Sequence, residues 1–417
     1  MSVRRRLTAL SFFPAFLPPS SGGELRYYHV HKQLGRHYEV AMVSPTNPFI
    51  PPETVIIGDG VVEHRIPKSW RHVFLQRLFD RFAGFPECSA VIVSLAAYAE
   101  RRYKAIVDEL CERSDIVVHE FPFLAPHARK RDGQLLVYDA HNVEFDLQRG
   151  MLKGPLGRVL SRHVKRLEAV LCRDADVIFA TSDEDRRRLI ELYRVSPDKI
   201  FVAPNGVDVG AVPCVSDIER EQAKRQLGLD GQAVLLFVGS FHPPNIEAVD
   251  ALIAAVAPRM PDAFVVVAGS VTRAIAPERM PPNVICLGRI SDEAKARLLS
   301  ATDVALNPML SGSGTNLKMI EYLAAGVPVV ATPVGARGLD VVSGEHAIVV
   351  PIDEFPVAIG RLLADGALRA RLAAGGRRLA EERYDWGRIV DAMHGVIEAA
   401  LAGIEGRSLA TGPRLSS

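Results

Sequence analysis

Cysteine is scarce and shows no pairing pattern. The 417-residue chain holds five, Cys88, Cys111, Cys172, Cys214 and Cys286, an odd number at wide spacing with no C-x-x-C pair. That pattern excludes a disulfide scaffold and fits buried free thiols in a reducing compartment. Cys/His metal spacings are also missing, so no structural zinc is expected. The formal net charge is only +1, which gives no reason to expect a nucleic-acid partner. No apolar run reaches the roughly 18 residues needed to span a bilayer. A G-x-x-x-x-G-K-[ST] phosphate loop does not occur, and no G-x-G-x-x-G follows a predicted strand. Those two absences argue against a P-loop nucleotidase and against a nicotinamide or flavin oxidoreductase.

What remains is an ordinary globular composition, 48% hydrophobic and 24% charged. The length calls for more than one core, and two domains are the simplest count. Lys and Arg outnumber Asp and Glu by 30 to 26 over residues 1–208 and are outnumbered 23 to 20 thereafter, a mild bias toward an anionic partner for the first half. The start, with Arg4-Arg-Arg6 before an apolar stretch broken by Pro14, Pro18 and Pro19, reads as a first strand behind a basic tip rather than a signal peptide. A cytoplasmic protein is expected.

Hydrophobic periodicity predicts strands over 7–13, 38–44, 115–119, 135–139, 176–181 and 199–203, with helices over 24–34, 90–112, 155–173 and 183–193. Such alternation implies a parallel sheet with helices on both faces. A polar stretch after Asp208 marks the domain junction. A second α/β domain follows, with strands over 234–239, 264–269, 284–288, 303–307, 327–331 and 347–350 and helices over 245–256 and 292–300. Residues 386–402 read as a last amphipathic helix without a following strand, and the Gly-, Ser- and Pro-rich tail is expected to be disordered.

The most informative segment is Ser311-Gly-Ser-Gly-Thr-Asn-Leu-Lys-Met-Ile-Glu-Tyr-Leu-Ala-Ala-Gly326. Gly312 and Gly314 permit close approach of backbone amides to an anion, the helix after them points its positive end there, and Lys318 adds a charge. Lys318 and Glu321 fall off the Leu317/Ile320/Leu323 core stripe, so one can hold phosphate while the other accepts from sugar hydroxyls. The plain alternative is a solvated i,i+3 pair. Ser20-Ser-Gly-Gly23, before the first helix, is a second amide-rich cradle or a flexible turn. His141, in Asp139-Ala-His-Asn-Val-Glu144 at a strand end, either exchanges protons, with Asp139 or Glu144 fixing its tautomer, or is structural. Asp174/Asp176 and Asp183/Asp185 have D-x-D spacing but sit where acids suit helix ends and handovers. The stretch 149–173 carries seven Lys or Arg and one acid, the basic outer face of a packed helix or a lipid-docking face. Residues 68–82 mix aromatics with arginines and form the better candidate for acceptor or membrane contact.

Taken together these motifs resemble the retaining nucleotide-sugar glycosyltransferases of the GT-B type, in particular family 4. The resemblance runs from Ser11 to about Ile389 through Ser21-Gly-Gly-Glu24, Tyr138-Asp-Ala-His-Asn-Val-Glu144, Ala203-Pro-Asn-Gly-Val-Asp208, Phe237-Val-Gly-Ser-Phe-His-Pro-Pro-Asn245, the glycine-rich segment above, and Arg383-Tyr-Asp-Trp386. It implies an α/β GT-B fold, two Rossmann-like doubly wound domains facing across a cleft. Residues 1–209, joined by helix 386–403, would form the acceptor-binding domain. Residues 210–385 would form the nucleotide-sugar-binding domain, and 404–417 a disordered tail. Carried over by position, Glu321 meets the donor ribose, Lys318 the diphosphate, and His141 the transferred sugar. Gly22 and Gly23 close on the diphosphate, and Ser240, Ser313, Gly314, Thr315 and Asn316 complete donor binding. No metal and no cofactor are implied; a nucleotide-diphosphate sugar is the donor substrate.

Two departures accompany the resemblance. The family commonly has an acid eight residues before the ribose-binding Glu, where this chain has Ser313, and an Arg and Lys after the strand that here leads to Ser240-Phe-His-Pro243. The function expected is sugar transfer with retention to an acceptor hydroxyl, in polysaccharide, glycolipid or cell-envelope glycan synthesis. The partners implied are the donor, a saccharide or lipid-linked saccharide acceptor, and the inner membrane face as a peripheral contact. An inactive sugar-nucleotide-binding protein and a nucleotide-sugar epimerase on the same fold are the rival readings.

Overall fold

The computed structural model describes residues 4–19, 22–82, 89–96, 100–312 and 315–411. The chain divides into two compact units, Met1–Pro204 with Ile389–Ser417, and Asn205–Arg388.

In the first unit the strands are β1 (Arg6–Leu10), β2 (Glu39–Thr46), β3 (Glu53–Gly58), β4 (Val61–Pro67), β5 (Ile116–His119), β6 (Leu135–Ala140), β7 (Val177–Ala180) and β8 (Ile200–Val202). Its helices are α1 (Gly22–Leu34), α2 (Trp70–Phe82), α3 (Ser89–Leu95), α4 (Arg101–Glu112), α5 (Glu144–Met151), α6 (Gly154–Asp174) and α7 (Asp183–Tyr193). The sheet order is β3-β4-β2-β1-β5-β6-β7-β8. All neighbours are parallel except β3 and β4. The chain therefore builds outward from β1 in one direction and then, from β5, in the other. That places a topological switch point beyond the carboxyl ends of β1 and β5.

The second unit holds α8 (Asp217–Leu227), β9 (Ala233–Val238), α9 (Pro243–Ala251), β10 (Ala263–Ala268), β11 (Val284–Cys286), α10 (Asp292–Ser300), β12 (Val304–Asn307), α11 (Leu317–Ala324), β13 (Val329–Ala331), β14 (Ile348–Val349), α12 (Phe355–Ala364) and α13 (Gly366–Arg383). Its sheet is parallel throughout, in the order β11-β10-β9-β12-β13-β14. Alternate residues of β9 enter opposite cores. Val234 and Leu236 pack with Val266, Ile320 and Tyr322, while Leu235 and Phe237 pack with Val265, Val249 and Ile359. Both faces of the sheet are thus covered, and each such side chain contributes about 1.5–3 kcal/mol. The switch point here lies beyond β9 and β12.

Several expectations need correction. The helix expected over 90–112 is two helices. Glu100, just before α4, is held by Ser69, which donates from N at 3.0 Å and from Oγ at 2.8 Å, an anchor that periodicity does not reveal. The β3–β4 hairpin was not expected, although Asp59-Gly60, with Gly60 at φ +70°, is a turn signal of the right kind. Helix 245–256 starts at Pro243 and ends in a π-helical turn, Leu252–Val256. The last helix, α14 (Trp386–Thr411), continues through residues 404–411, where a disordered tail was expected. Ile389, Met393, Ile397 and Leu401 are buried at four-residue spacing along it. Arg5 pairs with Glu398 at 2.6 Å and with Glu405 at 2.9 Å, which ties the extension to the first strand. The seam falls at Pro204/Asn205 rather than at 209, because Val207 donates to the Tyr384 carbonyl at 2.8 Å and accepts from Trp386 N at 3.2 Å.

Candidate active site

The residues named from sequence as candidates fall near the carboxyl ends of the two sheets, and each unit carries its own group. In the second unit, the loop after β12 leads through Gly312, at φ +123°, to α11. Asn316 is the residue before that helix and its side chain makes no cap; its carbonyl accepts from Met319 N at 3.0 Å, so among the first three amides of α11 those of Leu317 and Lys318 are the candidates for a ligand. The Thr315 hydroxyl is buried without a hydrogen-bond partner among the described residues. Ser313 and Gly314 lie outside the described residues.

Lys318 does not pair with Glu321. Its Nζ donates to Asn245 Oδ1 at 2.6 Å, touches Met309 Sδ at 3.5 Å and lies 4.5 Å over the Phe237 ring. Burial pushes its pKa down to about 7. Among the described residues it has no carboxylate partner, so its charge is left for an anion to compensate. Asn245 is oriented by donating from Nδ2 to the Ser240 carbonyl at 3.0 Å and Ser240 Oγ at 3.1 Å. This brings Ser240, after β9, into the same network as Lys318. Arg337 donates to the Gly312 carbonyl at 2.7 Å and adds a second cation at the glycine loop.

Glu321 accepts from Lys295 of α10 at 2.7 Å, with each side chain about a quarter exposed. The carboxylate raises the Lys295 pKa against the lowering effect of burial. The solvated Lys318–Glu321 pair considered from sequence is therefore not what forms. Asn245, Lys295 and Arg337 had no role assigned from sequence, and only the position of Asn245 at the opening of α9 could have hinted at one.

In the first unit, Gly22 and Gly23 open α1, the helix that follows β1 in the chain. A Cβ on Gly23 would lie 3.3 Å from Phe13 Cζ and 3.6 Å from His141 Nδ1, so the glycine admits the chain against the imidazole. His141 follows β6 and is 6% exposed. Its Nε2 is 2.7 Å from Glu120 Oε2, and its Nδ1 has no hydrogen-bond partner among the described residues. Desolvation lowers its pKa to about 3, so the ring is neutral.

Neither acid proposed from sequence fixes this ring. Asp139 is taken by Arg26, whose Nε donates to both carboxylate oxygens at 3.1 and 3.0 Å and whose Nη2 also binds Oδ1. Glu144 lies elsewhere, with burial and Glu168 pushing its pKa up to about 8. The partner is Glu120, immediately after β5, an acid that sequence reading passed over. Glu120, Asp139 and His141 offer ligand atoms within 4.8 Å of one another. Arg26, buried against Asp139, already supplies the cation such a cluster would balance.

The other candidates have structural employment. Asp176 accepts from Leu136 N at 2.8 Å and pairs with Lys130 at 2.6 Å, while Asp185 accepts from Thr181 and Ser182 at 2.8 Å at the start of α7. In the basic helix α6, Glu168 is buried. It accepts from Glu144 N, Phe145 N, Tyr138 Oη and Tyr193 Oη at 2.8, 3.0, 3.1 and 2.6 Å.

Two doubly wound units, each built on a largely parallel sheet with its own switch point, are the architecture of the GT-B class. The model described as Glycosyltransferase Family 4 matches residues 20–211, and the one described as Glycosyl transferases group 1 matches residues 232–365. A D-inositol 3-phosphate glycosyltransferase of Acidothermus cellulolyticus is 31% identical over 312 residues, 70% of this chain and 67% of that protein. Its counterpart from Rhodococcus erythropolis is 29% identical, over 64% of this chain and 63% of the relative. Among solved structures, sucrose-phosphate synthase from Thermosynechococcus elongatus superposes with a TM-score of 0.70 at 19% identity, covering 96% of this chain and 100% of that one. Anabaena HepE in complex with UDP and glucose gives 0.67 at 15% identity, covering 95% and 100%. The chain belongs to glycosyltransferase family 4, on the GT-B fold. The matched part spans roughly two thirds of the length of these curated relatives.

Proposed function

We propose that this protein transfers a sugar from a nucleoside-diphosphate sugar to an acceptor hydroxyl with retention of anomeric configuration. The observation that carries the reading is Lys318, a desolvated ammonium without a carboxylate partner among the described residues, beside the uncapped start of α11. Lys318 and the helix amides take the diphosphate, and Glu321, steadied by Lys295, accepts from the ribose hydroxyls. Ser240, Ser313, Gly314, Thr315 and Asn316 are the remaining donor-binding positions. Gly22 and Gly23 are assigned to the diphosphate and His141 to the transferred sugar.

In the reaction, the bond from anomeric carbon to diphosphate oxygen breaks with its electron pair, through an oxocarbenium-like transition state. The acceptor oxygen joins the same face, and its proton passes to the departing phosphate oxygen. Lys318 neutralises the charge gathered on that leaving group. Metal independence belongs to the proposal because the D-x-D acids are engaged by Leu136 N, Lys130, Arg173 and the opening of α7.

The acceptor proposed is a saccharide, or a lipid-linked saccharide reached from the cytoplasmic face of a membrane. No helix among the described residues is long and apolar enough to cross one. Supporting peripheral contact, Trp70, Phe74 and Leu78 stand 61%, 68% and 45% exposed at four-residue spacing along α2, with Arg71, Arg77 and Arg81 exposed beside them. D-inositol 3-phosphate glycosyltransferases, among the relatives, are named for a phosphorylated polyol acceptor, which suits the basic first half.

The deciding experiment is thermal unfolding against UDP-, GDP-, TDP- and ADP-sugars, with Lys318→Ala and Glu321→Ala as controls. A ligand at about 100 times its Kd adds roughly 2.7 kcal/mol to the native state. Stabilisation by one nucleotide class, lost in both variants, is expected; no response to any nucleotide sugar overturns the reading. Turnover of the donor into an epimer without acceptor would favour the epimerase instead.

A further inference from the structure

Glu120 lies between two imidazoles. Its Oε2 is 2.7 Å from His141 Nε2, and its Oε1 is 3.3 Å from His31 Nε2. The side chains of Glu120 and His31 are fully buried, and that of His141 is 4% exposed. The proton positions follow from the outermost contact inward. His31 Nδ1 is 2.8 Å from the Tyr27 carbonyl, which can only accept, so Nδ1 carries the hydrogen. His31 Nε2 therefore presents a lone pair to Glu120 Oε1. Neither atom has another hydrogen-bond partner among the described residues.

Two buried lone pairs facing each other repel unless a proton sits between them. The carboxyl proton accordingly belongs on Oε1, toward His31. Oε2 is then a carbonyl oxygen, able only to accept, and the short contact must be His141 Nε2–H donating to it. The titration directions agree. Burial and Asp139 raise the Glu120 pKa, partly opposed by Arg26, while burial holds His31 down to about 4. The charged groups facing the cluster, Arg26 and Asp139, compensate each other. At 3.3 Å the contact to His31 is the weak one, and the 2.7 Å contact to His141 is the short, strong one.

We propose that Glu120, with His31 behind it, is the positioning residue that fixes the tautomer of His141, leaving Nδ1 unprotonated as a hydrogen-bond acceptor beside Gly23. The ring is then set to receive an O–H group. The complementary arrangement, with the proton on Oε2, would make Nδ1 a donor suited to an anionic or carbonyl oxygen. Identifying that O–H as a hydroxyl of the transferred sugar rests on the transferase reading, whereas the tautomer does not.

The test is long-range 1H–15N correlation on full-length protein labelled with 15N-histidine, the His141 signals being identified by their loss in His141→Asn. The wild type should show Nε2 protonated and Nδ1 bare. Glu120→Gln should keep that pattern, since an amide can donate to His31 and accept from His141. His31→Phe removes the lone pair that draws the proton, and should move His141 toward the Nδ1–H form. A protonated Nδ1 in the wild type, or a His141 pattern unchanged in both His31→Phe and Glu120→Leu, overturns the assignment. These spectra read the ring whether or not the protein transfers sugar, so failure here and failure of the nucleotide-sugar panel are distinguishable. Where a donor binds, Glu120→Leu should weaken it about tenfold and Glu120→Gln by much less, the scale of one lost hydrogen bond.

Discussion

Lys318 Nζ and Asn245 Oδ1 are 2.6 Å apart, and that contact joins the first turn of α9 to the first turn of α11. It gives a buried ammonium a neutral partner. The consequence is a lysine whose charged form has no carboxylate partner among the described residues.

From this follows a pH dependence with a definite sign. The Lys318 pKa is about 7 in the folded chain against an ordinary value of 10.5, so the unfolded state binds more protons between those values and stability rises with pH across that window. Lys318→Met should remove this slope and stabilise the free protein below pH 7 by on the order of 2 kcal/mol, discounted for partial solvent access. The same variant should lose stabilisation by nucleotide sugars. Denaturant melts of both proteins from pH 6 to pH 10 check this; parallel curves would refute it.

Glu321 and Lys318 should separate by ligand. Inorganic pyrophosphate needs only the anion site, whereas a nucleoside diphosphate also needs the ribose acceptor. Lys318→Ala should weaken both ligands, and Glu321→Ala only the nucleotide. Isothermal titration with the two ligands measures this. Lys295→Met should cost the apo protein no more than about 1 kcal/mol, as expected for a partly exposed ion pair.

Gly23→Ala should be tolerated by the fold and harmful at the site. The new methyl lies 3.6 Å from His141 Nδ1 and 3.3 Å from Phe13, an adjustment of tenths of an ångström at the second residue of α1. A melting temperature within a few degrees of wild type, with sugar transfer or donor binding reduced, is the expected pair of results. Unchanged activity would remove the space beside His141 from the site.

Vesicle sedimentation tests the α2 face. Phe74→Asp should reduce binding to vesicles containing anionic lipid, and Arg77→Glu with Arg81→Glu should reduce it with a strong salt dependence. Equal binding of wild type and variants, or equal binding to neutral vesicles, would leave the stripe without a membrane role.

Much of the architecture was legible because buried parallel strands and amphipathic helices announce themselves locally. Helices α7 and α10 have the predicted bounds, and the strand cores over 116–119, 135–139 and 304–307 were found where Val, Ile and Leu cluster. The elements that were missed depend on distant partners. Residues 53–67 alternate too weakly to be read as strands until β4 pairs with β2. Helix α14 continues past 403 with Glu405 held by Arg5, 400 residues earlier in sequence.

The same division holds at the site. By itself the sequence determined that glycines precede a helix at a strand end, that a lysine stands in its first turn, and that His141 stands at another strand end, because those are properties of consecutive residues. Only the tertiary structure decided whom they face. Lys318 meets Asn245 rather than Glu321, Asp139 is spent on Arg26, and His141 takes Glu120. The physical reason is that a buried charge or ring nitrogen must be satisfied by whatever polar group the packing brings within about 3 Å, and parallel sheets bring together residues from separate crossovers.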